Sequence, residues 1–253
     1  AFAVVFQAAG LSWTLSSEAV GYDAVNYGLW YDDLQLARLA LRHVDIARRL
    51  KVRKIVLGEC GHAHKALTVV ADRLLTGERN IPRESSLVTL EKIVRSGKLD
   101  LEPRRNAFPV TLHDPCNIVR SMGIVAPQRR ILKMIAPGFR EMAPSGVWNY
   151  CCGGGSGFAI LSGHNFAEWR NLVSSRKKFR QILDAFHNEA RETPKSVCAP
   201  CSNCKGAIRD VIAFYGGEER SRLYYGGLVE LVVNAMAQIP KPLISFGGEP
   251  SWA

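Results

Sequence analysis

Short apolar segments alternating with amphipathic helical stretches predict an α/β fold, built as two similar halves with short, mostly parallel sheets. Two further observations point the same way. Cys116, Cys151, Cys152, Cys201 and Cys204 all stand where an expected strand ends or a helix begins, the place where sites form in parallel sheets. The chain also carries a weak internal repeat: Val56–Leu67 can be laid over Val197–Ile208. Each copy has a strand, a cysteine, a position three later and an apolar residue four beyond. Ala63 of the first copy stands where Cys204 stands in the second. The division this suggests is 1–100 for a degenerate half and 101–253 for an intact one.

Taken in order, Ala1–Ala9 reads as the tail of a helix, Leu11–Ser16 as a strand or turn, and Ala24–Tyr31 as a loop. Asp32–Leu50 has helical spacing, with Leu34, Leu41, Val44 and Ala47 near one face and Asp32 or Asp33 as cap. Lys54–Gly58 reads as a buried strand, Glu59–His62 as a turn, and Ala63–Leu75 and Leu87–Ser96 as helices. Leu101–Asn106 is polar and reads as a linker. Pro109–His113 is the next strand, followed by helix at Arg129–Ile135, a strand at Val147–Tyr150 and a long amphipathic helix at Phe166–Ala190. A strand at Ser196–Ala199 and helices at Lys205–Tyr215 and Leu228–Ala237 complete the series. The aromatics Trp13, Tyr22, Tyr27, Trp30 and Tyr31 read as core or as an interface with a further domain.

The 253 residues are enough for one large or two small domains. No apolar run reaches the roughly 18 residues of a membrane span, and no leader pattern opens the chain. The start at Ala1, as if at the end of an element, suggests a fragment with domains upstream. Net charge is +10, with basic groups at Arg48–Lys54, Arg129–Lys133 and Arg176–Arg180. No nucleic-acid recognition motif accompanies them, so nucleic acid is not the expected partner. A basic surface would instead steer an acidic protein or an anionic thiol. Seven cysteines without a secretory pattern favour metal or redox chemistry over a disulfide scaffold.

The chemistry centres on Cys151-Cys152-Gly153-Gly154-Gly155. Adjacent cysteines have Cα atoms about 3.8 Å apart, short of the roughly 4.4–6.8 Å of an ordinary disulfide. Their side chains diverge and can reach two metal atoms of one cluster. The glycines let the backbone close in and turn N–H groups toward negative charge. A structural zinc site would want paired knuckles, which Cys198, Cys201 and Cys204 lack. A thioredoxin-like dithiol would leave Cys116 and the Cys-Cys pair unexplained. His62 and His64, beside Cys60 and Lys65, and His113, before Asp114-Pro115-Cys116, are candidate proton donors to a leaving thiolate. Glu59 would orient a histidine or face solvent.

Asp114-Pro115-Cys116, the Cys-Cys-Gly-Gly-Gly run and Cys201-x-x-Cys204 resemble the three signature pieces of the cysteine-rich CCG domain of heterodisulfide reductase B and D subunits and related iron–sulfur oxidoreductases. The resemblance spans roughly residues 50–237. It is nearest to members with one intact and one degenerate repeat, such as D-type subunits and the K subunit of a sulfite-reductase-associated membrane complex. It implies a noncubane 4Fe–4S cluster held by Cys116, Cys151, Cys152, Cys201 and Cys204, cradled by Gly153 and Gly154, with Cys60 packed alongside. Cys198 offers a rival pair with Cys201, but Val197 and Ile208 flank the Cys201/Cys204 choice as expected. The activity implied is reduction or formation of a disulfide or trisulfide. Electrons would pass through further 4Fe–4S clusters on an upstream domain or ferredoxin-type subunit and a membrane cytochrome b-type subunit. The implied place is the cytoplasmic face of a membrane, held there by partner subunits. An acidic sulfur-carrier protein or an anionic thiol/disulfide would be the substrate. An electron-relay subunit of a quinone-linked dehydrogenase, or a zinc-stabilised interaction module, are the other readings.

Overall fold

A computed structural model describes residues 1–19, 32–70, 75–77, 80–155, 167–240, 243–244 and 246. The first half opens with α1 (Phe2–Ala8) and α2 (Asp33–Arg49). Asp32 caps α2 by accepting the Gln35 N–H at 3.0 Å. The buried residues of α2 are Leu36, Leu39, Ala40, Val44, Ile46 and Ala47, so the expected Val44 and Ala47 are buried while Leu34 and Leu41 are not. Leu34 stands exposed, because two residues turn a helix by about 200°. Strand β1 (Ile55–Leu57) leads into the short helix α3 (Gly61–His64), which widens into a π turn at Lys65–Val70. Strand β2 (Arg83–Ser85) and α4 (Ser86–Arg95) follow, with β2 parallel to β1 and Leu57 opposite Ser85. Leu11–Ser16 forms no strand. Of the expected aromatic cluster, Trp13 packs edge-on against Phe6, while Tyr22, Tyr27, Trp30 and Tyr31 lie outside the described residues. The same holds for the expected loop at 24–31.

The expected linker at 101–106 is packed structure. Pro103–Asn106 forms a 3-10 turn, and Arg105 donates to the carbonyls of Met236, Ala237 and Ile239. Asn106 is buried and bonds the Ile135 and Leu231 carbonyls. These backbone groups at two helix ends need partners, and the segment supplies them.

The second half then runs β3 (Val110–Leu112), α5 (Cys116–Met122), α6 (Ala126–Ile135) and β4 (Phe139–Arg140). Next come α7 (Ala167–Trp169), which passes into a π turn at Arg170–Ser174, and α8 (Arg176–Ala185). Strand β5 (Lys195–Cys198), α9 (Ser202–Phe214), α10 (Gly217–Ser221), β6 (Leu223–Gly226) and α11 (Leu228–Ala235) close it. The four strands form one parallel sheet in the order β4-β3-β5-β6, with Val110 opposite Ser196 and Lys195 opposite Leu223. The strand order reverses between β3 and β5, so the crevice at their carboxyl ends is the expected binding place.

Two sequence expectations change here. Val147–Tyr150 is not a strand: Gly146–Trp148 is a 3-10 turn. Its backbone is satisfied by side chains instead of a ladder. Asp114 accepts the Gly146 N–H at 2.7 Å, and Arg120 donates to the carbonyls of Val147 and Asn149. The expected single helix over Phe166–Ala190 is interrupted before Ser175 and ends at Ala185.

The four-stranded sheet is covered on both sides. Val110, Leu112 and Cys198 pack with α1, α4, α6 and α11 around Leu90, Ile131, Ile135 and Val232. Val197 and Ala199 pack on the other side with Phe179 and Ile182 of α8 and Ile208 and Val211 of α9. Alternate side chains along β5 therefore point to opposite faces, as strand geometry requires. No helix among the described residues is long and apolar enough to cross a membrane.

Candidate metal centre

Strand ends deliver Cys116 and Cys201, whereas Cys151 and Cys152 follow the 3-10 turn at Gly146–Trp148 rather than the expected strand. Cys116 is the first residue of α5 after β3, and Cys201 is the extended N-cap of α9 after β5. Cys204 lies one turn into α9, and Cys151 and Cys152 occupy the turn between β4 and α7. Helix N-termini thus aim free N–H groups and positive potential at the thiols.

The five sulfurs form a chain of contacts. Cys152 lies 3.3 Å from Cys204, and Cys151 is electrostatically coupled to Cys116 and Cys152, as Cys204 is to Cys201. Backbone N–H groups approach them as well: Gly153 to Cys151 Sγ at 3.3 Å, Gly154 to Cys152 Sγ at 3.4 Å and Gly61 to Cys201 Sγ at 3.2 Å. The hydrogen bonds from Cys116 and Cys152 hold the Cys151 thiol far below its ordinary range, with the Gly153 N–H helping. Its neighbours move the other way. The bond to Cys151 pushes Cys116 up, and it pushes Cys152 up to about 12. Cys201 falls to about 6, chiefly through the Cys204 hydrogen bond and then the Gly61 N–H. Cys151 is exposed and marks the mouth, while Cys152, Cys201 and Cys204 are buried.

The turn before Cys151 is fixed from beneath. Asp114, next to Pro115-Cys116, pairs with Arg129 through both oxygens at 2.8 and 2.6 Å and also takes the Gly146 N–H. Removing one partner of such a buried pair costs about 3–5 kcal/mol. Ser175 Oγ donates to the Cys152 carbonyl at 2.8 Å. A Cβ on Gly153, whose φ is +84°, would meet Ser175 Oγ at 2.2 Å, so this position requires glycine. Lys178 is fully buried and bonds Asn149 Oδ1 and Gln181 Oε1. Burial brings its pKa down to about 7, against the upward pull of Cys152 and Cys204. Sequence reading missed Arg120, Arg129, Asn149, Ser175 and Lys178. It placed Arg129 and Lys178 in basic surface groups, yet Arg129 is committed to Asp114 and Glu141 and Lys178 is interior. Helical spacing of Lys178 with Phe179 and Ile182 was the one available signal.

The three histidines separate. His113 is buried beneath the thiols, with a ring nitrogen within 4.8 Å of the Cys152 and Cys204 sulfurs. Among the described residues neither ring nitrogen has a hydrogen-bond partner. Burial, with Lys178 nearby, drives its pKa well below neutral. His64 is fully buried with both nitrogens engaged, Nδ1 with the Cys60 carbonyl at 2.7 Å and Nε2 with Ser85 Oγ at 2.8 Å. It fixes the first half and has no nitrogen to offer a substrate. His62 is buried against Asn203 of the Cys201 turn, and burial lowers its pKa. Cys60 caps its own helix by accepting the Ala63 N–H at 3.5 Å. Cys198 lies in the opposite core cluster from Cys152, Cys201 and Cys204, and burial raises its pKa strongly. Glu59 neither orients a histidine nor faces solvent: it is buried and accepts the Val229 N–H at 2.8 Å.

Residues 110–209, which hold all five thiols of the chain of contacts, match the model of the CCG cysteine-rich domain. This chain carries a CCG domain. The match begins at β3 and ends within α9, so it takes in every turn that presents these cysteines. Curated relatives extend the likeness beyond the CCG domain. The chain is 24% identical to an "Hdr-like menaquinol oxidoreductase iron-sulfur subunit" of Archaeoglobus profundus, over 95% of this chain and 46% of that one. It is 34% identical to the D subunit of the "Dihydromethanophenazine:CoB--CoM heterodisulfide reductase" of Methanosarcina barkeri, over 79% of this chain and 45% of that one. It is 26% identical to a "Probable membrane-anchored ferredoxin" of Chromohalobacter salexigens, over 83% of this chain and 29% of that one. The chain thus spans less than half the length of each of these relatives. No solved structure matches it.

Proposed function

We propose that the CCG domain holds a noncubane 4Fe–4S cluster through Cys116, Cys151, Cys152, Cys201 and Cys204, and that the chain reduces or forms a disulfide or trisulfide there. The observation that carries this reading is the unbroken series of five sulfurs at the switch point of the parallel sheet, with three backbone N–H groups directed at them. Thiolates are the standard ligands of iron–sulfur clusters, and N–H groups stabilise their negative charge. The relatives' names, which include iron–sulfur subunit and heterodisulfide reductase, support the same class.

A bound cluster would supply single electrons and a soft site for a substrate sulfur. The chain's own residues do the rest. Reducing R–S–S–R consumes two electrons and two protons and releases two thiols. Cys151 lies at the exposed edge, where such a substrate would arrive. His113 is the histidine nearest the buried thiols, and burial keeps its ring neutral, so the protons are drawn from the exposed side at Cys151. The proton-donor role leaves His64 as well, and His62 serves the joint between the halves. Asp114, Arg120, Asn149 and Ser175 keep the Cys151-Cys152 turn rigid, which keeps its sulfurs in place as charge changes. Electrons would arrive from further 4Fe–4S clusters on a ferredoxin-type domain or subunit and a membrane cytochrome b-type subunit. The chain would then sit at the cytoplasmic face of the membrane. An acidic sulfur-carrier protein or an anionic thiol is the substrate class we favour.

One observation favours a second reading. His113, Cys152 and Cys204 bring three ligand atoms within 4.8 Å, which would suit zinc in a structural module. That site leaves Cys116 and Cys151 without a role. Iron, zinc and acid-labile sulfide analysis of anaerobically prepared protein, with EPR of the oxidised sample, separates the two. About four irons and four sulfides per chain are expected for one such cluster. Zinc without sulfide overturns the oxidoreductase reading. If the cluster is present but its spectrum does not respond to any disulfide, the chain is an electron relay.

A further inference from the structure

Lys178 heads the fully buried side chains by size, with no exposed surface. Two of its hydrogen bonds go to neutral oxygens, Asn149 Oδ1 and Gln181 Oε1, and its third neighbour is Met142 Sδ at 3.7 Å. A buried ammonium needs a negative partner, because neutral oxygens replace only part of its lost hydration. The carboxylate that acts on it is Asp114, which is already held through both oxygens by Arg129. What remains on the anionic side is the thiol set, whose Cys151-Cys152 turn is tied to the ammonium through Asn149, two residues before Cys151.

The same side chain grips the cysteine turn. Asn149 bonds Lys178 through Oδ1, reaches Asp114 through Nδ2 at 3.4 Å, and stands two residues before Cys151. Ser175, one turn earlier on the same helical strip, holds the Cys152 carbonyl. The first turns of α8 therefore fasten the Cys151-Cys152 turn at two points, one of them a charge.

We propose that Lys178 is the buried counter-charge of the group held by the five cysteines, a positioning residue that steadies the turn before Cys151 and raises that group's reduction potential. The inference rests on the iron–sulfur reading above. Reduction adds negative charge, and a cation fixed nearby in a water-poor interior favours the reduced form. A lysine kept only for packing would give no such shift.

The test uses the anaerobic, cluster-loaded chain and its Lys178→Met, Asn149→Asp and Lys178→Arg variants. Iron and sulfide content is measured first, then the midpoint potential by EPR-monitored titration. If the wild type holds no iron and sulfide, the iron–sulfur reading fails, and this inference with it. With a loaded wild type, Lys178→Met removes the charge and Asn149→Asp neutralises it in place. Each is expected to disfavour reduction at least tenfold, a shift of about 59 mV downward for one electron. Lys178→Arg is expected to hold the wild-type value. Loss of the cluster from the first two variants, with Lys178→Arg still loaded, is the same charge dependence read as affinity. Loaded variants with the wild-type potential, or cluster loss from all three variants, would assign Lys178 to packing and overturn the proposal.

Discussion

The two turns at Cys60 and Cys201 have the same backbone and different jobs. Each follows a strand with a parallel neighbour, β1 beside β2 and β5 beside β6. Each cysteine is an extended N-cap whose N–H bonds the carbonyl two residues back at 2.7 Å. The turns even bond each other reciprocally. Gly61 N–H donates to Cys201 Sγ at 3.2 Å, and Ser202 N–H donates to the Glu59 carbonyl at 2.7 Å. The difference is one side chain three residues on, Ala63 against Cys204. Without a second thiol, Cys60 turns its sulfur to its own helix, and the first turn becomes a cover for the other. On the proposed ligand set, the two turns share their geometry while only the second carries the chemistry.

Cysteine substitutions break this comparison hardest. On the proposed ligand set, Cys201→Ser and Cys152→Ser lose the iron, the sulfide and the EPR signal. Cys60→Ala and Cys198→Ser keep all three, since one caps its own helix and the other lies in the opposite core cluster. Iron and sulfide per chain measure both arms. A Cys198→Ser chain without cluster, beside a loaded Cys204→Ser chain, would reverse the ligand choice.

How much of this was legible depended on whether the signal was local. Strand, cysteine and following helix are local, so β1, β3, β5 and the repeat of Cys60 on Cys201 could be read. The site's supports are not local. Asp114 meets Arg129 and Gly146, and Ser175 meets Cys152, across 15 to 32 residues that only the fold closes. Lys178 is polar, so composition placed it outside, although the buried oxygens of Asn149 and Gln181 hold it inside. Val147–Tyr150 misled because an apolar run beside a cysteine resembles a strand, whereas Asp114 and Arg120 had already taken its backbone groups. His64 misled because two close histidines suggest reactivity, and its neighbours occupy both nitrogens.

A smaller effect lies at the joint itself. Glu59 is buried between the turns, and burial raises its pKa from 4.5 to about 7, against the Val229 N–H and Lys205. Lys205, Glu230 and Cys198 are the charged or titratable groups that face it. The folded state keeps this proton across that window while the unfolded chain releases it. Glu59's contribution is therefore fully present below the unfolded value and is lost as pH rises through about 7, an effect of ~3 kcal/mol. Urea unfolding at pH 5 and pH 8 should show wild type losing more stability than Glu59→Gln. Equal losses would mean that the joint is not proton-linked. Gly227 belongs to the same joint, since a Cβ there would fall 2.2 Å from Glu59 Oε2.

The smallest expected effect tests the cover most directly. If the first turn serves the second, the Gly61 N–H on Cys201 Sγ should tune the cluster without holding it. Gly61 is the first residue of α3, where proline is tolerated, and Cys60 before it is extended, as a residue preceding proline must be. Gly61→Pro deletes the donor but also presses on the sulfur. Gly61→Ala supplies the control, because its Cβ would lie 3.4 Å from Cys201 Sγ and 3.2 Å from Asn117 Cβ while the N–H stays. Losing a hydrogen bond to a ligand sulfur disfavours the added negative charge, so Gly61→Pro should titrate at a lower potential than Gly61→Ala. The shift should be smaller than that of Lys178→Met, since a dipole is removed and not a full charge. Equal potentials for Pro and Ala would reduce the first turn to a packing partner. A Gly61→Pro shift larger than that of Lys178→Met would instead make the backbone donor of the degenerate half the stronger influence on the intact one.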